Sequence, residues 1–389
     1  MKITIVQGAF FPVPPLRGGA VEKIWFSLGR EFARSGHEVT HVSRAFGELP
    51  HTEIIENVRH IRVGGFDTPR SLILLKTLDL LYSLHTLTVL PAADILVTNT
   101  FWLPILIRSN RCGRLYVHVA RYPKGQLRYY AHAARLQSIS HPIEEAMVSE
   151  VPWCRRLIKC IHPPLPESGL AGPIPSGNRP KQILYAGRVH PEKGLHLLLA
   201  AIALIPEDTF AGWKLVVVGP AETSGGGGGA NYLAELKNMA ASIQQRVVWV
   251  GAVYDSAQLA SYYRTASLFV YPSLAERGET FGLAPLEAMS HGCPALVSNL
   301  ACFRDFVTAE VNGFVFNHRT TDPASTLADS ITRLIRDDSR IDRVREAALM
   351  TARSFSPERI AGLYLADFQS LLAPGLPTRH EDLRAKIAL

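Results

Sequence analysis

Residues 271–299 run YPSLAERGETFGLAPLEAMSHGCPALVSN. The segment begins as the end of a strand at Tyr271-Pro272-Ser273, passes through a loop and turns helical near Gly282. Gly292 and Pro294 stop that helix, since glycine takes the left-handed closing turn and proline cannot extend it. Ala295–Ser298 is the next strand. Strand, helix and strand within about thirty residues is the repeating unit of a parallel sheet with helices on its faces.

The same alternation continues on both sides. Strands are expected at Gln182–Tyr185, Lys214–Val218, Arg246–Val250, Leu268–Tyr271 and Gly313–Phe316. Helices are expected at Leu195–Ile205, Tyr232–Ile243, Ser256–Thr265, Leu283–His291 and Pro323–Arg336, with two more near Asp342–Ser354 and Pro357–Leu372. An independent series occupies the first half. Its strands are Lys2–Gln7, Glu38–Ser43, Arg59–Val63, Asp94–Thr98, Arg114–Val119 and Leu136–Ser140, with helices near Ala20–Ser35, Ser71–Leu90 and Pro142–Glu150. Between the halves the chain reads HPPLPESGLAGPIPSGNRP, where proline and glycine interrupt both kinds of element. The expected organisation is two doubly wound, Rossmann-like α/β domains: 1–165, a linker at 166–180, 181–355, and a closing helical segment at 356–389. Open α/β sheets take ligands outside the carboxyl ends of their strands, so two such domains facing each other would enclose a ligand in a cleft.

Composition supports this. The chain has 389 residues, 47% apolar and 19% charged, enough for two buried cores and unlike a disordered protein. Its five cysteines form no CxxC pair and no Cys/His spacing of the zinc type, so no metal is expected and the thiols fit a cytoplasmic chain. No signal-peptide pattern follows Met1. Leu72–Leu90 is the longest apolar stretch, but Lys76, Asp79 and His85 interrupt it. It is expected to be an amphipathic helix packed on a sheet, with a membrane-surface helix as the alternative. Residues 1–165 carry 20 Lys and Arg against 12 Asp and Glu, and the remainder carries 21 against 22. A basic first half implies an anionic partner, such as a phospholipid surface or a phosphorylated acceptor. No nucleic-acid-binding motif supports the other anionic candidate.

Three groups of residues could carry chemistry. In the quoted segment, the N–H groups from Phe281 through Gly282 to Leu283 are expected to form an anion site at a helix start. Glu279 and Glu287 flank it, eight residues apart. Two carboxylates with an anionic middle between them suit a nucleotide-diphosphate sugar. The bland alternatives are a dipole-favoured acid at 279 and a solvent-facing charge at 287. The segment YAGRVHPEKG, residues 185–194, follows the second domain's first strand. Arg188 and Lys193 there would offset the charge of a diphosphate, or be ordinary solvated cations. The third group is Gly18-Gly19 before the first helix, where backbone can approach a ligand closely. His118 ends the strand RLYVHVA, a place for a structural or a ligand-touching imidazole. Backbone around Gly219 and Val253, in Gly219-Pro220 and Gly251–Tyr254, is placed to select a base. Arg121–Lys124 and Arg128–Tyr130 mix cations with aromatic rings suited to an acceptor or a membrane. The run Gly225–Gly229 lacks the P-loop pattern and is expected to be a floppy surface insertion.

Together these motifs resemble the family-4 retaining glycosyltransferases of the GT-B fold (glycosyl transferases group 1) along nearly the whole chain. Glu279 to Glu287 is the E-x7-E motif, and Arg188 with Lys193 is the paired GR and KG segment. The resemblance implies that Glu279 touches the transferred sugar and that Glu287 binds the ribose. It implies that Arg188, Lys193, the Phe281 and Gly282 amides and the Gly18-Gly19 loop hold the diphosphate, with His118 near the reacting carbon. It also implies a last helix crossing back to the first domain. Two stretches depart from the family pattern: LACFRDFV after Asn299, where Asp305 replaces a glutamate, and CIHPPLPES in place of Asn-Gly-Val-Asp.

The function expected is transfer of a sugar, with retention, from a UDP- or GDP-linked donor to a glycan or lipid-linked acceptor in polysaccharide or glycoconjugate synthesis. No cofactor or metal is required, and peripheral contact with the inner membrane face accompanies it. Rival readings are a glycoside hydrolase, a phosphorylase or epimerase on the same scaffold, and a non-catalytic sugar-nucleotide-binding regulator.

Overall fold

The computed structural model of the protein describes every residue except Gly18, Arg108, Ser109, 167–178 and 374–389, so most of the expected linker lies outside the described residues. The chain divides into two compact units, Met1–Pro166 with Pro357–Leu389, and Glu167–Ser356.

The first unit holds an eight-stranded sheet made of β1 (Lys2–Val6), β2 (Glu38–Arg44), β3 (Thr52–Ile55), β4 (Val58–Val63), β5 (Ile95–Thr98), β6 (Arg114–Val119), β7 (Arg135–Ser138) and β8 (Ile158–Cys160). Their order is β3-β4-β2-β1-β5-β6-β7-β8. All neighbours are parallel but one: β3 runs antiparallel to β4. β3 is not among the expected strands, and its hairpin adds an antiparallel edge to the expected parallel sheet. Its two turn residues, Glu56 and Asn57, have φ of 47° and 65°, the left-handed pair that a two-residue hairpin needs. Without an Asn-Gly or Asp-Gly signal the turn was invisible in the sequence.

Helices α1 (Ala20–Arg34), α2 (Leu72–Val89), α3 (Leu103–Leu106) and α4 (His141–Glu150) complete the crossovers. α1 buries Ile24, Trp25, Leu28 and Phe32, a stripe at three- to four-residue spacing. α2 inverts the usual arrangement. Its buried residues are Asp79, Tyr82, Ser83 and Thr86, while Leu72, Ile73, Leu74, Leu81 and Leu84 are exposed. Asp79 accepts from the backbone amides of Phe101 (3.2 Å) and Trp102 (3.3 Å), which ties the helix down by a polar contact. The expected apolar inward face is thus replaced by a polar one.

The second unit is a six-stranded, wholly parallel sheet of β9 (Gln182–Ala186), β10 (Lys214–Val218), β11 (Val247–Gly251), β12 (Leu268–Tyr271), β13 (Ala295–Ser298) and β14 (Phe314–Phe316). The order is β11-β10-β9-β12-β13-β14. Its helices are α5 (Leu195–Leu204), α6 (Gly229–Met239), α7 (Ser256–Thr265), α8 (Leu283–Ser290), α9 (Pro323–Arg336) and α10 (Asp338–Arg353). The strands are near-continuous apolar runs, as burial on both faces demands.

The last helix, α11 (Pro357–Leu372), belongs to the first unit. Tyr364 and Phe368 pack edge-on against Trp25 (5.1 Å between centroids), Phe32 (5.6 Å) and Tyr116 (4.9 Å). Asp367 accepts from the Tyr116 hydroxyl (3.0 Å) and from Arg135 through Nε (3.0 Å) and Nη2 (2.7 Å). Burying each aromatic ring contributes about 1.5–3 kcal/mol, and the forked ion pair fixes which face of α11 turns inward.

Candidate functional site

In the second sheet, β9 has β10 on one side and β12 on the other. The loops after β9 and β12 therefore diverge, and this reversal of strand order is where open α/β sheets place ligands. The loop 187–194 carries Arg188 and Lys193, and the loop 272–282 carries Ser273 and Glu279. Gly194, at φ 71°, lets the two loops touch: a Cβ there would sit 2.0 Å from the Pro272 carbonyl oxygen. Gly219 at the end of β10 is equally constrained, its Cβ position being 1.8 Å from the Gly187 carbonyl oxygen.

Across this gap Lys193 Nζ donates to Glu279 Oε2 at 2.7 Å. The same oxygen accepts from Ser273 Oγ at 3.1 Å, and the Ser298 hydroxyl holds the Ser273 carbonyl at 2.6 Å. Lys193 and Glu279 are 5% and 9% exposed, so neither is an ordinary solvated charge or a loose helix-start acid. Desolvating two charges offsets most of their attraction. What the pair supplies is position: each charge is held where a ligand could exchange for the other. The Tyr271 hydroxyl, buried and near the Glu279 charge, is pushed well above its ordinary value and stays neutral.

Arg188 is half-exposed and donates to Glu192 Oε1 (2.6 Å) and to the Gly226 carbonyl (2.8 Å). The glycine run is therefore not a floppy insertion. The amides of Gly225, Gly226 and Gly227 donate to Glu222 and Thr223 carbonyls, and those of Gly228 and Gly229 to Val189 and Ala221. A Cβ at Gly227 would lie 2.2 Å from the Ala221 carbonyl oxygen. All five N–H groups are used within the protein, which also removes them as a phosphate cradle.

α8 opens at Gly282, whose φ is 92° and which offers no side-chain cap. Phe303 fills the space beneath it, leaving no room for a Cβ. Phe281 is buried against Phe306 and Phe355, and Leu283 is half-buried. Because the helix begins only at Leu283, Glu279 lies in the loop and helical rise separates Leu283 from Glu287 by about 6 Å. Glu287 is half-buried and accepts from the Tyr263 hydroxyl of α7 at 3.1 Å, so it is not simply solvent-facing. Val253 is half-buried in the loop between β11 and α7, beside exposed Tyr254.

His118 and Gly19 belong to the first unit, and Gly18 lies outside the described residues. His118 is buried, with Trp25 edge-on at 5.2 Å. Gln137 Nε2 donates to the carbonyls of Ser138 and Ile161 (2.8 Å to the latter), which turns its Oε1 toward His118 Nδ1. Nδ1 therefore carries the proton and Nε2 keeps a lone pair, with no partner among the described residues. Burial lowers the imidazole to about 4, so it is neutral near pH 7. At Gly19, φ is 90° and a Cβ would meet the Glu22 carboxylate at 2.2 Å. Burial raises the Glu22 carboxyl, against the pull of Arg121.

Several partners escaped the sequence reading: Ser273, Tyr263, Gln137, Glu192 and Glu22. Only Glu22, three residues past Gly19 at a helix start, carried a local signal. Of the basic-aromatic stretch, Tyr130 is core, its hydroxyl donating to the Phe101 carbonyl at 3.0 Å, whereas Tyr129 is exposed beneath Arg128.

Residues 172–350 match the family described as glycosyl transferases group 1. Over 185 residues the chain is 31% identical to a D-inositol 3-phosphate glycosyltransferase of Xylanimonas cellulosilytica, covering 47% of this chain and 40% of that protein. Over 192 residues it is 30% identical to the lipopolysaccharide core biosynthesis mannosyltransferase LpsB of Rhizobium meliloti, covering 48% and 50%. The chain thus spans half or less of the length of the curated relatives it matches. Among solved structures, Anabaena HepE in complex with UDP superposes with a TM-score of 0.70 at 19% identity, covering 95% of this chain and all of that one. That likeness establishes the GT-B fold.

Proposed function

We propose that this chain, whose residues 172–350 match the group 1 glycosyl transferases, moves a sugar from a nucleotide-diphosphate donor to an acceptor hydroxyl with retention of anomeric configuration. The buried Lys193–Glu279 pair at the strand-order reversal carries the reading. A hydrolase has no use for a fixed cation there, whereas a departing nucleoside diphosphate gains negative charge as the glycosidic bond breaks. Lys193 and Arg188 meet that charge. The amides at the start of α8 hold the phosphates. Glu279 orients the transferred sugar, Glu287 the ribose, and the Nε2 lone pair of His118 accepts from a sugar hydroxyl. The acceptor oxygen attacks carbon 1 as the carbon–phosphate-oxygen bond breaks, and its proton passes to the departing phosphate oxygen. The protein contributes position and charge.

The donor is proposed to be a UDP-sugar, with GDP-sugars as the comparison, since HepE, which shares the fold, holds UDP. The acceptor is proposed to be a lipid-linked glycan met at the inner, anionic membrane face. Support comes from the basic first half and from α2, whose outer face exposes five leucine and isoleucine side chains. Two of them, Leu72 and Ile73, line an apolar hollow of about 370 Å³ together with Lys76, Thr77, Leu80 and Trp102. The helix is long and apolar enough to span a bilayer, but its buried Asp79 face fixes it to the protein surface.

The deciding experiment is thermal stability with a panel of nucleoside diphosphates and their sugars, on wild type and Glu287→Ala. A ligand at ~100-fold its Kd adds roughly 2.7 kcal/mol. A shift with one base, weakened in the variant, is the expected result. No shift with any nucleotide would overturn the proposal.

A further inference from the structure

A second constellation lies in the first unit, apart from the residues assigned to the donor. β8 pairs in parallel with β7, Ser138 standing opposite Cys160, and the Ile161 amide donates to the Ser138 carbonyl at 3.0 Å. Beyond that pairing, the chain from β7 passes through Ser140 into α4, whose first residue is His141. The chain from β8 reaches His162 two residues after Cys160, on the same side of extended backbone. Three ligating side chains from two strand ends therefore converge. Their donor atoms all lie within 4.8 Å of one another. Cys160 Sγ is 3.8 Å from His162 Nε2, and the two imidazoles meet edge-to-face with centroids 5.4 Å apart.

A tetrahedral zinc ion, with Zn–S of about 2.3 Å and Zn–N of about 2.0–2.1 Å, sets its donors roughly 3.3–3.6 Å apart. The observed spacing closes on that geometry with side-chain movements of about 1 Å, well within rotamer freedom. His141 is exposed and Cys160 and His162 are half-buried, so an ion has a route in. One thiolate and two imidazoles favour a borderline-soft cation and disfavour magnesium or calcium, which prefer oxygen.

We propose that His141, Cys160 and His162 form a zinc-binding site with its fourth position open to solvent. Binding forms one Zn–S and two Zn–N bonds and releases the Cys160 thiol proton to water. The ion ties the three-residue edge strand β8 to the start of α4. The proposal stands independently of the glycosyl transfer proposed above, because its readout is metal binding.

The test uses tag-free, full-length protein titrated with Co²⁺ as a spectroscopic stand-in. The expected result is a thiolate-to-cobalt charge-transfer band with tetrahedral visible bands, both erased by Zn²⁺ but not by Mg²⁺. Cys160→Ser should abolish the charge-transfer band, since the other four cysteines are buried. His141→Ala, at an exposed position that cannot disturb the core, should weaken binding by more than the ~10–100-fold typical of an outer-shell change, with an unchanged circular dichroism spectrum. Absence of the band in wild type, its survival in Cys160→Ser, or wild-type affinity in His141→Ala would overturn the proposal.

Discussion

Lys193 and Glu279 reach each other from loops that follow different strands, and they meet at 2.7 Å where the second sheet reverses its strand order. Lys193→Ala would leave the Glu279 carboxylate buried without its cation, held only by neutral donors such as the Ser273 hydroxyl. Loss of one partner from a buried pair costs about 3–5 kcal/mol, and loss of a fixed transition-state charge slows turnover by roughly 10²–10³-fold. Calorimetry and initial rates should both show the loss. A variant with native stability and native kcat would remove Lys193 from the site.

Gly282→Ala tests the start of α8. With φ at 92° and Phe303 underneath, the new methyl has no room, and backbone strain of about 1–3 kcal/mol is expected. Displaced amides should raise KM for the donor more than they lower kcat. Gly362→Ala, where a Cβ meets nothing within 4 Å, is the matched control and should be neutral or slightly stabilising.

Acid should unfold the first unit through its histidines. Burial holds His60 and His118 near 4 and His41 well below its ordinary value, while unfolded histidine titrates near 6.5. Between about pH 6.5 and 4 the unfolded chain binds more protons, so stability is complete above that window and falls as pH drops through it. Each histidine contributes a slope of about 1.4 kcal/mol per pH unit. Urea midpoints from pH 7 to 5 should decline accordingly, and less steeply in His118→Gln. An equal slope in that variant would mean that His118 is not among the groups responsible.

Asp367→Ala should destabilise the first unit by about 3 kcal/mol, because Arg135 and the Tyr116 hydroxyl lose the acceptor they share. Denaturant unfolding measures this directly. Donor binding by the second unit should persist, separating a stability defect from a site defect.

Turnover is expected to survive EDTA in Mg²⁺-free buffer, since Arg188 and Lys193 supply the positive charge at the diphosphate. Complete loss restored by Mg²⁺ would contradict this assignment. Restoration by Zn²⁺ alone would point instead to the His141, Cys160 and His162 cluster.

Much of the architecture was legible because alternating apolar strands and helices leave a regular imprint. Lys193 and Glu279 were findable for the same reason: each follows a strand on a loop, where ligand-facing side chains gather. Contacts made across the fold left no such mark. Ser273, Tyr263 and Gln137 take their roles from neighbours distant in sequence. Gly225–Gly229 looked flexible because sequence shows conformational freedom, whereas its order comes from carbonyls of Val189 and Ala221. α2 misled for a related reason. Apolar residues mark a face that avoids water, but they do not say whether the protein itself covers that face.

The return of α11 to the first unit has a bearing on synthesis. A ribosome delivers β1 to β8 long before Tyr364, Asp367 and Phe368 emerge. Until then Trp25, Phe32 and Tyr116 lack their cover and Arg135 its counter-charge. The second unit, contiguous in the chain, can finish first, so the unit whose strands emerge earlier is the one that matures later. Premature termination anywhere before residue 357 should therefore yield a nascent chain with a sticky aromatic face, a target for chaperones rather than a smaller working protein.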